Sequence, residues 1–121
     1  MTKIEELTPR SRGLELTVQV VEKLDEREVT VRSSGRQHRV AEFLIGDETG
    51  SVILTLWDEA IDKLEMGKVY LLKNGYVSTF RNSMRVNTGK YGSIEPTDAT
   101  MEANTENNVS EKFVEDAPRR F

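Results

Sequence analysis

Apolar and polar residues alternate through "LELTVQVVEKL", with Leu14, Leu16, Val18 and Val20 on one side. This period-two pattern marks a half-buried strand. "EVTV", residues 28–31, extends or restarts it. "RSSGRQHR" (32–39) is a polar stretch and predicts a loop with Gly35 at its turn. "VAEFLI" predicts a second strand and "SVILTLW" a third. The "GDETG" between them predicts a hairpin turn, with Asp47 suited to its start and Gly50 able to take positive φ. In "DEAIDKLEMG" the spacing becomes helical: Ile61 and Leu64 share a face, Asp58 is placed to cap the start and Gly67 to end one or two turns. "KVYLL" predicts a fourth strand, and the aromatic and basic segment "NGYVSTFRNSMRVNTGK" ends in a fifth around Met84–Asn87. "GSIE" (92–95) adds a short closing piece.

Five strands with a short helix between the third and fourth is the order of an all-β OB-fold barrel. No long helical pattern alternates with the strands, which disfavours a parallel α/β fold. A chain of 121 residues with eight aromatics and 36% hydrophobic residues supports one modest core, and a closed barrel needs no more. Residues 1–96 therefore form the expected domain. Residues 97–121, "TDATMEANTENNVSEKFVEDAPRRF", show no sustained periodicity and hold six acids against three bases. They are expected to form a flexible, disordered acidic tail.

Net charge is −4, which taken alone argues against a nucleic-acid partner. The distribution argues otherwise, because two windows contain no acid. Val29–Ala41 holds Arg32, Arg36, His38 and Arg39, and Met66–Ile94 holds Lys68, Lys73, Arg81, Arg85 and Lys90. Strand alternation puts Val52, Leu54 and Leu56 on the core face of "SVILTLW" and Trp57, the sole tryptophan, on the opposite face. Tyr76 and Phe80 follow among Asn74, Ser78, Thr79 and Arg81. Aromatics interleaved with bases suit single-stranded nucleic acid, whose bases stack while Lys and Arg track phosphates. The structural alternative is that Trp57 caps one end of the barrel and Tyr76 pins the chain at Gly75.

Other chemistries find little support. Without cysteine there are no disulfides or thiolate metal sites, and His38 is the only histidine, so neither a multi-histidine metal site nor a Ser-His or Cys-His pair is expected. Asp47 and Glu48 in a turn, and Asp58, Glu59 and Asp62 at a helix start, hold ordinary structural places. His38, in an Arg-flanked loop, reads as a solvent-exposed or phosphate-side residue. No enzyme activity, cofactor or metal is expected. No run of 18 apolar residues and no apolar leader segment is present, so the expected setting is cytoplasmic and not membrane-bound, associated with the nucleoid, or nuclear in a eukaryote.

"GDETGSVILTLWDEA…GKVYLLKNGYVSTFRNSMRVNTGK" closely resembles the simple, single-OB-fold single-stranded-DNA-binding proteins of archaea and the B subunits of eukaryotic sensor-of-single-stranded-DNA complexes. The distinctive parts are "DETG" before a strand ending in Trp-Asp, then "GY", a Phe four residues after that Tyr, and "TGK". The resemblance implies base stacking on Trp57, Tyr76 and Phe80. It also implies a groove lined by Arg32, Arg36, Arg39, Arg81 and Arg85, and the acid-free windows add Lys73 and Lys90. The implied function is sequence-tolerant protection of exposed single strands in replication, recombination or repair. RNA in place of DNA, a tRNA-binding OB domain and an OB-fold protein-interaction subunit remain open alternatives. Many archaeal members end in a Gly/Arg-rich tail, which this chain lacks. Its end, "EDAPRRF", is similar to the acidic, Phe-terminated tails with which bacterial single-stranded-DNA-binding proteins dock replication and repair proteins, although two arginines interrupt the pattern. Phe121 is the docking residue this similarity implies; Phe113, the other phenylalanine of the tail, is a second candidate, with folding back onto the barrel as the alternative.

Overall fold

The computed structural model describes residues 2–30, 32–88 and 92–111. Lys90, Phe113 and Phe121 lie outside the described residues. Six strands form the sheet: β1 (Leu14–Thr30), β2 (Gln37–Asp47), β3 (Gly50–Trp57), β4 (Val69–Phe80), β5 (Ser83–Asn87) and β6 (Ser93–Pro96). The order β1-β2-β3-β5-β4 closes through a β1–β4 pairing, giving the five-stranded OB barrel, with β6 added on β4. A 3-10 helix, η2 (Asp58–Lys63), joins β3 to β4, where the helical spacing predicted a short helix.

The core follows from the alternation. Leu14, Leu16, Val18, Val20, Val52, Leu54 and Leu56 are all buried in one cluster, with Ile61 and Leu64 of the η2 segment closing against it. Residues 28–30 of "EVTV" extend β1 and do not restart it. One strand can pair with β4 over Leu14–Gln19 and with β2 over Gln19–Thr30 because it bends. Register shifts between Val20 and Glu22 and between Lys23 and Asp25 insert one extra residue each, and such bulges increase the local bend and twist. Beyond Asp25, β1 and β2 run on as a paired ribbon ending in the 32–36 turn, where Gly35 has φ +67 as its turn requires.

Asp47 starts the β2–β3 turn as expected, and it also does more. It is 1% exposed. Its Oδ1 accepts from the Thr49 N–H at 2.8 Å and the Thr49 hydroxyl at 2.6 Å, while Oδ2 accepts from the Ile4 N–H at 3.0 Å. The carboxylate thus fastens the N-terminal turn η1 (Ile4–Glu6), whose Ile4 is fully buried, to the hairpin. Asp47→Ala is expected to cost about 3 kcal/mol, since it removes several bonds to a buried charge and leaves the Ile4 N–H unpaired. Urea unfolding reads this directly, and an unchanged midpoint would refute the role.

Two expectations at this end of the barrel are corrected. Gly50 does not take positive φ. Its requirement is space: a Cβ there would meet the Asn107 carbonyl oxygen at 2.8 Å, and one on Gly46 would meet the Ala103 Cβ at 2.9 Å. Both glycines admit the segment expected to be a disordered tail. Residues 97–111 instead strap the barrel. Ala103 N–H donates to Gln19 Oε1, Asn104 N–H to the Asp47 carbonyl, and Ser51 N–H to the Asn107 carbonyl. Val109 enters the core cluster at 2% exposure, and the Ser110 hydroxyl accepts from the Ile53 N–H at 2.8 Å and donates to the Met84 carbonyl. Ser110 thereby closes the seam between β3 and the start of β5. The mostly polar segment stays in place because its backbone and the Ser110 hydroxyl satisfy the N–H groups of Ser51 and Ile53 and the carbonyls of Asp47 and Met84.

Candidate nucleic-acid interface

On the outer face of β3, β5 and β4, the register places side chains in rows. Glu42 pairs with Thr55, Thr55 with Asn87, and Asn87 with Tyr76. The next row runs Leu44, Ile53, Arg85, Ser78. Trp57 lies two residues beyond Thr55, and Phe80 pairs with Ser83 at the far end of β4. Trp57, Tyr76 and Phe80 are 48%, 40% and 53% exposed, against near-complete burial of the inward Val52, Leu54 and Leu56. The three rings therefore share one solvent face. At ~3.3 Å per residue and ~4.8 Å per strand, Tyr76 stands roughly 13 Å from Phe80 along β4, and Trp57 stands a similar distance away across two strands. Trp57 does not cap the barrel end.

Tyr76 faces outward because of Asn74. Leu72 points into the core, so strict alternation would turn Tyr76 inward as well. Between the pairs Glu15–Lys73 and Leu14–Gly75 the register shifts by one residue, and Asn74, at φ 56, is the extra one. Asparagine tolerates this left-handed conformation better than most residues. Gly75 lets the bulge close, since a Cβ there would sit 2.5 Å from Leu72 Cδ2. A β4–β5 turn with both central residues at positive φ, Arg81 at 51 and Asn82 at 64, then presents Arg81 beside Phe80. The Arg81 Cζ lies 5.2 Å from the ring centroid and that of Arg85 5.6 Å, both cation–π distances.

The basic residues are less free than the acid-free windows suggest. Arg39 binds Asp62 Oδ2 at 2.7 Å and the Asp58 carbonyl at 3.1 Å. Arg85 pairs with Glu42 of β2. Those acids come from other segments, so the windows are acid-free in sequence only. Of the implied groove residues that the structure describes, Arg32, Arg36, Lys73 and Arg81 carry no ion pair. Arg32 and Arg36 sit exposed in the ribbon turn, and Lys73 lies between Glu15 of β1 and Ser93 of β6, away from the aromatic rows. The structure thus gathers Trp57, Tyr76, Phe80, Arg81 and Arg85 on one face, and Arg32, Arg36, Arg39 and Lys73 lie outside its rows.

Asp58 and His38 are also corrected. Asp58 does not cap η2; the N-cap is Trp57, and Asp58 turns back at φ 51. Its carboxylate accepts from the Arg39 N–H at 3.0 Å and meets His38 Nδ1 at 2.8 Å. The backbone bond first, and the His38 ring second, hold this carboxyl below the usual aspartate range, as Arg39 does for Asp62. Both titrate lower folded than unfolded, so these contacts support the ribbon at neutral pH and are lost only in acid. His38 is a brace between β2 and the residue after Trp57, not a free phosphate ligand.

A closed five-stranded barrel of this order, with exposed aromatics of β3 and β4 on one outer face, is an OB-fold domain. The chain belongs to the family of Ssb-like single-stranded DNA binding proteins with an OB fold, whose model matches residues 7–96. It is 32% identical to an uncharacterized protein of Arabidopsis thaliana over 117 residues, covering 89% of this chain and 76% of that one. It is 30% identical to the single-stranded DNA binding protein Ssb of Saccharolobus solfataricus, over 72% of this chain and 57% of that protein. The solution structure of a hypothetical protein from Arabidopsis thaliana superposes with a TM-score of 0.79 at 31% identity, over 99% of this chain and 89% of that chain.

Proposed function

We infer that this protein binds single-stranded DNA, as the name of its archaeal relative states for that protein, that it does so without strong sequence preference, and that it performs no catalysis. The observation that carries the reading is the exposure of Trp57, Tyr76 and Phe80 together on one sheet face, with Arg81 beside Phe80. Large aromatics gathered on one exposed face favour an interaction surface, and every base offers a ring face to stack on them. Duplex DNA keeps its bases stacked inside and has little to place on this surface. Binding would shield exposed strands during replication, recombination or repair.

The test is a titration following Trp57 fluorescence with oligo-dT, a duplex and an RNA of equal length. Oligo-dT should quench the signal and the duplex should not. RNA quenching as strong as DNA quenching would make the site a general single-strand surface, and a signal indifferent to all three would refute the reading. With Arg81 the one unpaired cation on this face among the described residues, affinity should fall only gently with salt, with a log–log slope no steeper than roughly −2, the value for about three phosphate contacts.

A further inference from the structure

Four charged side chains run in file from β1 to the aromatic face. Asp25 and Glu42 are direct partners in the β1–β2 register, a like-charge pair that is unfavourable across a ladder. Arg27 bridges them, with Nη1 at 2.6 Å from Asp25 Oδ2 and 3.5 Å from Glu42 Oε1. The other oxygen of Glu42 takes Nη1 of Arg85, whose guanidinium lies over Phe80. Two carboxylates and two guanidiniums sum to zero. The Glu42 and Arg85 side chains are only 19% and 17% exposed, so this pair is screened less than an ordinary surface pair. Glu42 also opens the row that ends at Tyr76, which puts a carboxylate at the edge of a surface meant to meet a polyanion.

We propose that Glu42 sets the preference of this face for unpaired bases over phosphates, by ion-pairing Arg85 and holding it against Phe80. The inference rests on the aromatic face being the single-strand site. Paired to Glu42, the Arg85 guanidinium serves as a flat platform and base-edge donor, and its charge is cancelled for a passing phosphate. A single strand still binds through Trp57, Tyr76 and Phe80. A duplex, which offers phosphates and no free base faces, meets a surface with little net charge.

Glu42→Gln in the full chain tests this. The glutamine oxygen still accepts from Arg85, so the barrel is expected to melt as before, while the cancelling charge is gone. Affinity for a duplex at low salt should rise about fivefold or more, and the single-strand salt slope should steepen by about 0.7, the increment for one added phosphate contact. The ratio of single-strand to duplex affinity should fall. Adding Arg85→Gln should return the slope and the duplex affinity to wild-type levels. Glu42→Thr, neutral and strand-favouring, carries the same expectations if Gln loosens the barrel. Duplex affinity that stays level or falls in both single variants overturns the proposal, as does a gain that survives Arg85→Gln. Wild-type protein that binds neither polymer overturns the aromatic-face reading itself, a separate result.

Discussion

Cutting the chain after Pro96 is expected to destabilise the barrel by about 4 kcal/mol and to lower its melting temperature by roughly 20 °C. Burial of Val109 accounts for about 2 kcal/mol of this. The bonds that Ser110 makes to the Ile53 N–H and the Met84 carbonyl add about 1 kcal/mol each. Losing the strap also uncovers the Ser51 N–H, now bonded to the Asn107 carbonyl at 2.9 Å. Val109→Ala alone should reproduce about half the effect, because it leaves a cavity without opening the seam. Thermal and urea unfolding of the two variants decide the matter. A truncated protein that melts with the full chain would show that the strap merely rests on the barrel.

Trp57→Ala is expected to weaken single-strand binding by about 1–3 kcal/mol, and Trp57→Ala with Phe80→Ala by more than about 100-fold, with little change in unfolding free energy. Both rings are about half exposed and neither belongs to the core cluster, so truncating them removes little buried area. Stacking removes far more of each ring from water than folding does. Filter binding alongside a urea melt separates the two effects. Loss of the cooperative melt in Trp57→Ala would make Trp57 a structural residue, and unchanged affinity in the double variant would move the binding face elsewhere.

Some of this site is legible in the chain and some is not. Alternation through Val52, Leu54 and Leu56 suffices to put Trp57 outside, because β3 pairs on both sides without a register shift. Tyr76 is different. Counting by twos from Leu72 turns it into the core, and only the bulge at Asn74 reverses it. "NG" in that position reads as an ordinary turn signal, yet the turn falls at Arg81–Asn82 and the asparagine bulges inside a continuous strand. A local signal for left-handed backbone is present there; which structure uses it is set by β1 pairing alongside.

Local rules therefore determine the strands, the buried aliphatic face and the exposed tryptophan, since alternation and turn chemistry act between near neighbours. Tertiary structure alone decides the electrostatics and the ends. Glu42 reaches Arg85 across 43 positions and Arg39 reaches Asp62 across 23, so no window of sequence reveals that two of the five implied groove arginines are already paired. Residues 97–111 hold too few apolar groups to fold alone, and their order comes from groups that others leave open: space over Gly46 and Gly50, and unpaired edges of β3 and β5. Burial and charge pairing depend on distance in space, and a strap or an ion pair between remote strands acquires its energy only once the barrel has brought them together.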